Sequence, residues 1–148
     1  PFDWLFSYAE VAQTIDFVLP DKNAIILVIG AGNAPFSPDM YSLGKYNKIV
    51  NIDLSNVVID QMSGKYPNQL WRTMDAMQMD FADNTFPVVV DKSLIDTLMC
   101  DNRSDRTAAM VQECYRVLRP AGRYVTFSLH SVEEVKQHYD RPEFQWKV

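Results

Sequence analysis

A chain of 148 residues, 47% hydrophobic and 22% charged, has enough apolar mass for one packed domain, expected to span 1–148. No apolar run approaches the roughly 20 residues that cross a bilayer, so no membrane association is expected. A net charge of −5 argues against an extensive nucleic-acid surface, which needs a basic face to neutralise phosphate.

Along the chain, residues 2–19 read as a helix, with Leu5, Ala12, Ile15 and Leu19 near a 3.6-residue period and Pro20 beyond its end. The opening PFDWLFSYAE lacks the basic region and small-residue cleavage site of a secretory signal. Residues 24–29 form a continuous aliphatic run, as a central parallel strand requires. Ser37-Pro38-Asp39 reads as a helix start, closed by Gly44. A second strand is expected over 48–52, then a helix capped by Ser55, running through Met62 and stopped by Gly64. Residues 70–74 and 86–90 read as the third and fourth strands, with a short helix over 93–99 after them. Residues 106–118 are a clearer helix, with Met110, Val111, Cys114, Tyr115 and Leu118 on one face. Residues 119–122 form a turn, 123–128 a fifth strand and 131–138 a helix, and 144–148 read as the beginning of a sixth strand.

Strands alternating with helices imply right-handed βαβ units: a three-layer αβα sandwich around a mostly parallel, doubly wound sheet. Ligands of such sheets bind beyond the carboxyl ends of the strands, so the residues there matter most. After the first strand stands Gly30-Ala31-Gly32-Asn33, a turn almost without side chains that lets a ligand approach main chain; an ordinary tight turn is the alternative. After the second come Asp53, Leu54 and Ser55. A carboxylate roughly 20 positions beyond the glycines can take both hydroxyls of a ribose, or it can be a solvated acid or helix cap. After the third come Asp75, Ala76 and Met77, an acid for an exocyclic amine with backbone amides and an apolar cover beside it, or else a polar loop. After the fourth come Asp91 and Lys92, facing the reactive end of any ligand laid across the sheet, or else a helix cap and a structural ion pair.

The dinucleotide fingerprint G-x-G-x-x-G places a third glycine where Pro35 stands, and no G-x-x-x-x-G-K-[ST] pattern occurs. A ligand with one adenosine and no phosphate fits better: its amino-acid end over Gly30–Gly32, ribose on Asp53 and adenine on Asp75. S-adenosylmethionine has that form, with S-adenosylhomocysteine as the product of methyl loss. The two cysteines, Cys100 and Cys114, lack metal-ligand spacing, and no metal is expected. A reducing, cytoplasmic setting fits.

The segments ILVIGAGNAPFSPDMY, IVNIDLSNVVIDQM, DAMQMDFADNTFPVVVDKSLIDTLMC and ECYRVLRPAGRYVTFSL together resemble class I S-adenosylmethionine-dependent methyltransferases over almost the whole chain. With FDW near the start and DKSLID after the fourth strand, the resemblance is to the group of methyltransferase-like protein 13 and its relatives, which methylate lysines or the N-terminal amine of translation elongation factor one-alpha. It implies that Gly30 and Gly32 pass under the methionine moiety, Asp53 takes the ribose, and Asp75 and Met77 take the adenine. It places Asp91 or Lys92 near the methionyl end and Trp4 in an N-terminal helix that helps cover the cofactor. It also implies a protein amine as acceptor, with elongation factor one-alpha as a candidate partner. The acid usual before the first glycine is Ile29 here. The class I sheet has seven strands, so a domain truncated at the C-terminus, and at the N-terminus too, is the expectation, lacking the last strand. No catalytic residue is assigned. Acceptor-side candidates are Asp91, Ser93, Asp96, Phe127 and His130. The rival readings are a small-molecule methyltransferase, a non-catalytic S-adenosylmethionine-binding module and a dinucleotide oxidoreductase.

Overall fold

The computed structural model describes residues 3–101 and 104–148. Among them the chain runs α1 (Tyr8–Val18), β1 (Ile25–Ile29), α2 (Phe36–Ser42), β2 (Lys48–Asp53), α3 (Asn56–Lys65), β3 (Leu70–Thr73), β4 (Phe86–Lys92), α4 (Leu94–Cys100), α5 (Ser104–Val117), β5 (Leu118–Phe127) and α6 (Val132–Tyr139). The sheet order is β3-β2-β1-β4-β5, and every pairing is parallel. The chain turns from one half of the sheet to the other between β1 and β4, the switch point at which such sheets open a crevice.

β1 lies between β2 and β4 and is covered on both faces, hence its unbroken aliphatic sequence. Side chains alternate along it. Ile26 and Val28 join a layer with α1 and α2 that includes Ile15, Phe36, Met40 and Tyr46. Leu27 and Ile29 join the opposite layer with Ile95, Met110, Val111, Cys114 and Val117 of α4 and α5. The result is the αβα sandwich expected from the alternating elements.

Several boundaries differ from the sequence reading. α1 begins at Tyr8, because Ser7 starts it: the Ser7 amide and hydroxyl both bond Glu10 Oε2, at 2.7 and 2.8 Å. Phe2, where the helix was expected to start, lies outside the described residues. α2 begins one residue before Ser37, and the Ser37 hydroxyl turns inward to Gln69 Oε1 (2.7 Å) beside the fully buried Asn51. Gly64 lies inside α3 rather than ending it.

Residues 144–148 form no strand. Their apolar content serves packing instead. Phe144 is buried in the core, and the Trp146 ring packs edge-on or tilted against Tyr115, Tyr124 and Tyr139. The turn expected at 119–122 is present as a bulge within β5: Phe86 pairs with Leu118 while Val88 pairs with Arg123. A Cβ at Gly122 would meet Arg119 O and Leu118 Cδ1 at 2.8 Å, so the bulge requires glycine there.

Candidate functional site at the carboxyl ends of the strands

The parallel register sets the level of each strand tip. Ile29 pairs with Ile52 on one side and Asp91 on the other, and Asp53 pairs with Thr73. Gly30, Asp53 and Lys92 therefore end three adjacent strands at one height. Gly30 and Gly32 both take positive φ, +57° and +61°, which favour glycine. A Cβ on Gly30 would press on Leu94 at 3.0 Å, whereas one on Gly32 would meet nothing nearer than Gly30 O at 4.0 Å. The first glycine is thus required by packing; the second faces open space.

Hydrogen bonds tie these tips together. Ala31 N donates to Ile52 O (3.0 Å), and Met74 N donates to the Asp53 carbonyl (2.9 Å). Gly32 N donates to Asp53 Oδ2 and Ser55 N to Asp53 Oδ1, each at 2.9 Å. The Asp53 carboxylate, half-buried, is fixed by two backbone donors. A carboxylate offers about four lone-pair sites, so each oxygen retains capacity for another donor. Ser55 also caps α3 through Val58 N. Two residues past β3, Asp75 Oδ1 accepts from Met77 N at 2.8 Å, closing a tight loop. Ala76 and Met77 are half-buried and pack on the core. Asn33 and Leu54 are exposed beside this arrangement.

The tips of β4 and β5 are built differently. Asp91 is 0% exposed. Its oxygens accept from Leu94 N (2.8 Å) and Ile95 N (3.1 Å), so it caps α4. Burial pushes its carboxyl up to about 7; those two bonds pull the other way, and the nearby Asp96 charge adds to the rise. Lys92 pairs with Asp3 and lies over Phe36 and Phe6. Ser93 joins β4 to α4 at φ +71° and donates its amide to Phe127 O at 3.0 Å. Asp96, nearly buried, takes the Ser128 hydroxyl and the Leu129 amide. His130 Nε2 stands 3.8 Å from Asp96 Oδ1 and His130 Nδ1 stands 3.8 Å from Glu134 Oε2. Trp4, expected in an N-terminal helix, lies instead in the segment before α1, because the Ser7 capping box starts the helix only after it; Trp4 is 64% exposed.

Two participants escaped the sequence reading. Asp3 reaches Lys92 across 89 positions, and no spacing pattern reveals such a pair. Ser128 fixes both Asp96 and the His130 amide, at 3.0 Å for the latter. Among the described residues no group of three or more His, Cys, Asp or Glu could hold a metal ion, and no helix is long and apolar enough to cross a membrane.

Comparison with known proteins adds to this geometry. Residues 27–126 match a family model described as a methyltransferase domain. The chain is 35% identical over 95% of its length to the eEF1A lysine and N-terminal methyltransferase of Mus musculus, and 34% identical over 99% to that of Homo sapiens. It spans only about a fifth of the length of those relatives (21% and 22%). A TehB-like SAM-dependent methyltransferase from Corynebacterium glutamicum shares the fold, with a TM-score of 0.68 and 20% identity over 87% of this chain and 69% of that one.

Proposed function

The chain belongs to the methyltransferase domain family, and from that premise we propose that it binds S-adenosylmethionine at the strand tips and supports methyl transfer to a protein amine. The observation that carries the reading is the Asp53 carboxylate, held by Gly32 N and Ser55 N with lone pairs to spare beside an unobstructed Gly32. A vicinal diol needs two such acceptor positions, and a nucleoside lying flat on main chain needs a missing Cβ. Asp53 takes the ribose hydroxyls, with Leu54 and Ser55 along its rim. Asp75, Ala76 and Met77 frame the adenine. Gly30, Ala31, Gly32 and Asn33 run beneath the amino-acid end, flanked by Asp91 and Lys92, with Trp4 as cover.

When bound, S-adenosylmethionine supplies a methyl group activated by its sulfonium. The residues of this chain contribute orientation: rigid strand ends fix the sugar and base, so that the methyl carbon faces the acceptor in line. An attacking lysine must first lose its proton, and desolvation as the acceptor docks at the strand tips favours the neutral amine. The relatives named for eEF1A support a lysine or N-terminal amine of that factor as the acceptor. Such an acceptor belongs to the translation machinery, which supports a cytoplasmic setting for the proposed activity, and we read residues 1–148 as one methyltransferase domain of that activity.

The test has two stages. S-adenosylhomocysteine should bind the chain in calorimetry more tightly than a nicotinamide dinucleotide. A longer form containing this domain, given labelled S-adenosylmethionine and purified eEF1A, should place label on a lysine or the N-terminal amine by mass spectrometry. Tighter dinucleotide binding would overturn the cofactor; label only on small metabolites would overturn the acceptor.

A further inference from the structure

The segment before α1 is fastened to the site by one ion pair. Asp3 Oδ1 bonds Lys92 Nζ, and the two side chains are only 15% and 8% exposed. The Lys92 ammonium lies 4.9 Å from the Phe36 ring centroid and 5.6 Å from that of Phe6. Phe6 packs edge-on against Phe127 at 5.2 Å. Residues 3–6 are thereby pinned across the ends of β4 and β5, with Leu5 at φ +71°. A non-glycine residue in that region is held there by its surroundings, at a cost of about 1–3 kcal/mol.

The pair is unbalanced. Asp3 spends one oxygen on Lys92; Oδ2 is enclosed and has no hydrogen-bond partner among the described residues. Buried carboxylate oxygens without a donor are rare in folded proteins and call for a partner. A second carboxylate, Asp39 in the first turn of α2, is close enough to feel Asp3: burial and then the Asp3 charge raise its pKa. Among the described residues Lys92 is the only cation bonded to Asp3, and Oδ2 still lacks a donor, so a second positive charge would complete the arrangement.

Its place in the fold says what would supply that charge. Lys92 follows Asp91, which pairs with Ile29, so the cluster stands beside Gly30, one strand away. A ligand with its sugar on Asp53 carries its amino-acid end to that position. We infer that Asp3 Oδ2 accepts the α-ammonium of S-adenosylmethionine and S-adenosylhomocysteine while Lys92 keeps Oδ1. This rests on the cofactor reading above and adds a specificity residue from the N-terminal segment.

The test uses two probes: S-adenosylhomocysteine, and 5′-methylthioadenosine, which lacks the amino-acid end. In calorimetry Asp3→Asn should weaken S-adenosylhomocysteine about tenfold or more, the scale of a hydrogen bond to a charged group. It should leave 5′-methylthioadenosine nearly unchanged. Equal losses for both probes would mean that Asp3 only packs the segment, and an unchanged S-adenosylhomocysteine affinity would remove the role; either overturns the inference. If Asp3→Asn does not fold, the wild-type chain decides. It should prefer S-adenosylhomocysteine over its deaminated analogue by about tenfold, and no preference would overturn the inference. A wild-type chain that binds neither probe overturns the cofactor reading itself, and this inference with it.

Discussion

The tips of β1, β2 and β3 and the tips of β4 and β5 stand at one edge of the same sheet, yet they are made of different materials. On the first side the framework is main chain. Amides of Ala31, Gly32 and Met74 bond the neighbouring strand end, those of Ser55 and Met77 bond the acid two residues before each, and these acids keep lone pairs free. On the second side the framework is side chains already engaged: Asp91 on the amides of α4, Lys92 on Asp3, Asp96 on Ser128. The first half keeps several acceptors open for the proposed ligand; on the second, Asp91, Lys92 and Asp96 already have protein partners, and Asp3 Oδ2 is left without one among the described residues. A polar residue at a strand tip is therefore not by itself a binding residue. What distinguishes Asp53 from Asp91 is half-burial with lone pairs to spare, against complete burial with both oxygens used.

The contrast breaks most readily at Gly32. Gly32→Val would place a branched side chain in the open space above the turn at a φ of +61°. Binding of S-adenosylhomocysteine should fall below detection, while the fold loses about 1–3 kcal/mol from the strained backbone; calorimetry beside a urea titration separates the two. Asp53→Ala should come next, weakening S-adenosylhomocysteine by about 1.5–3 kcal/mol. The Gly32 and Ser55 amides also lose their acceptor, so the urea midpoint should drop as well.

On the other side, the expected effect is on stability rather than binding. The folded chain holds the Asp91 proton up to about 7, whereas its ordinary pKa is 3.8. Between those values the folded state binds more protons than the unfolded state, so this residue's contribution falls as pH rises from about 4 to about 7 and is level above. Asp91→Asn keeps an acceptor for the cap without the charge. The wild-type chain should lose stability relative to this variant across that window, and parallel pH curves in denaturant melts would show that Asp91 ionises freely. The smallest effect is expected from Asp75→Ala: about 0.5–1.5 kcal/mol of S-adenosylhomocysteine affinity, the worth of one ordinary hydrogen bond.

How far the sequence led follows the same division. β1 was legible because a strand covered on both faces must be apolar throughout, and the Gly30–Gly32 turn because positive φ demands glycine. Asp53 was legible because main-chain geometry fixes how far it lies from those glycines. Ser37 misled, since a serine that resembles a helix cap can equally serve a buried network, here with Gln69 beside Asn51. Residues 144–148 misled because aromatic content alone does not separate a strand from a segment packed into an aromatic cluster. The Ser7–Glu10 capping box stood in plain sight and would have placed the start of α1 correctly. Of the Asp3–Lys92 pair only the Lys92 half was legible, as a candidate for a structural ion pair; its partner was not, because the two meet only once the sheet has formed.

The most direct measurement is a titration of the isotope-labelled chain with S-adenosylhomocysteine, followed by amide NMR. The account predicts that the perturbed amides cluster at residues 30–33, 53–55 and 75–77, on strand ends adjacent in space. Perturbations confined to the groove along the outer edge of β5, around Arg123, Lys136 and Tyr139, with the Gly32 and Ser55 amides unmoved, would contradict it.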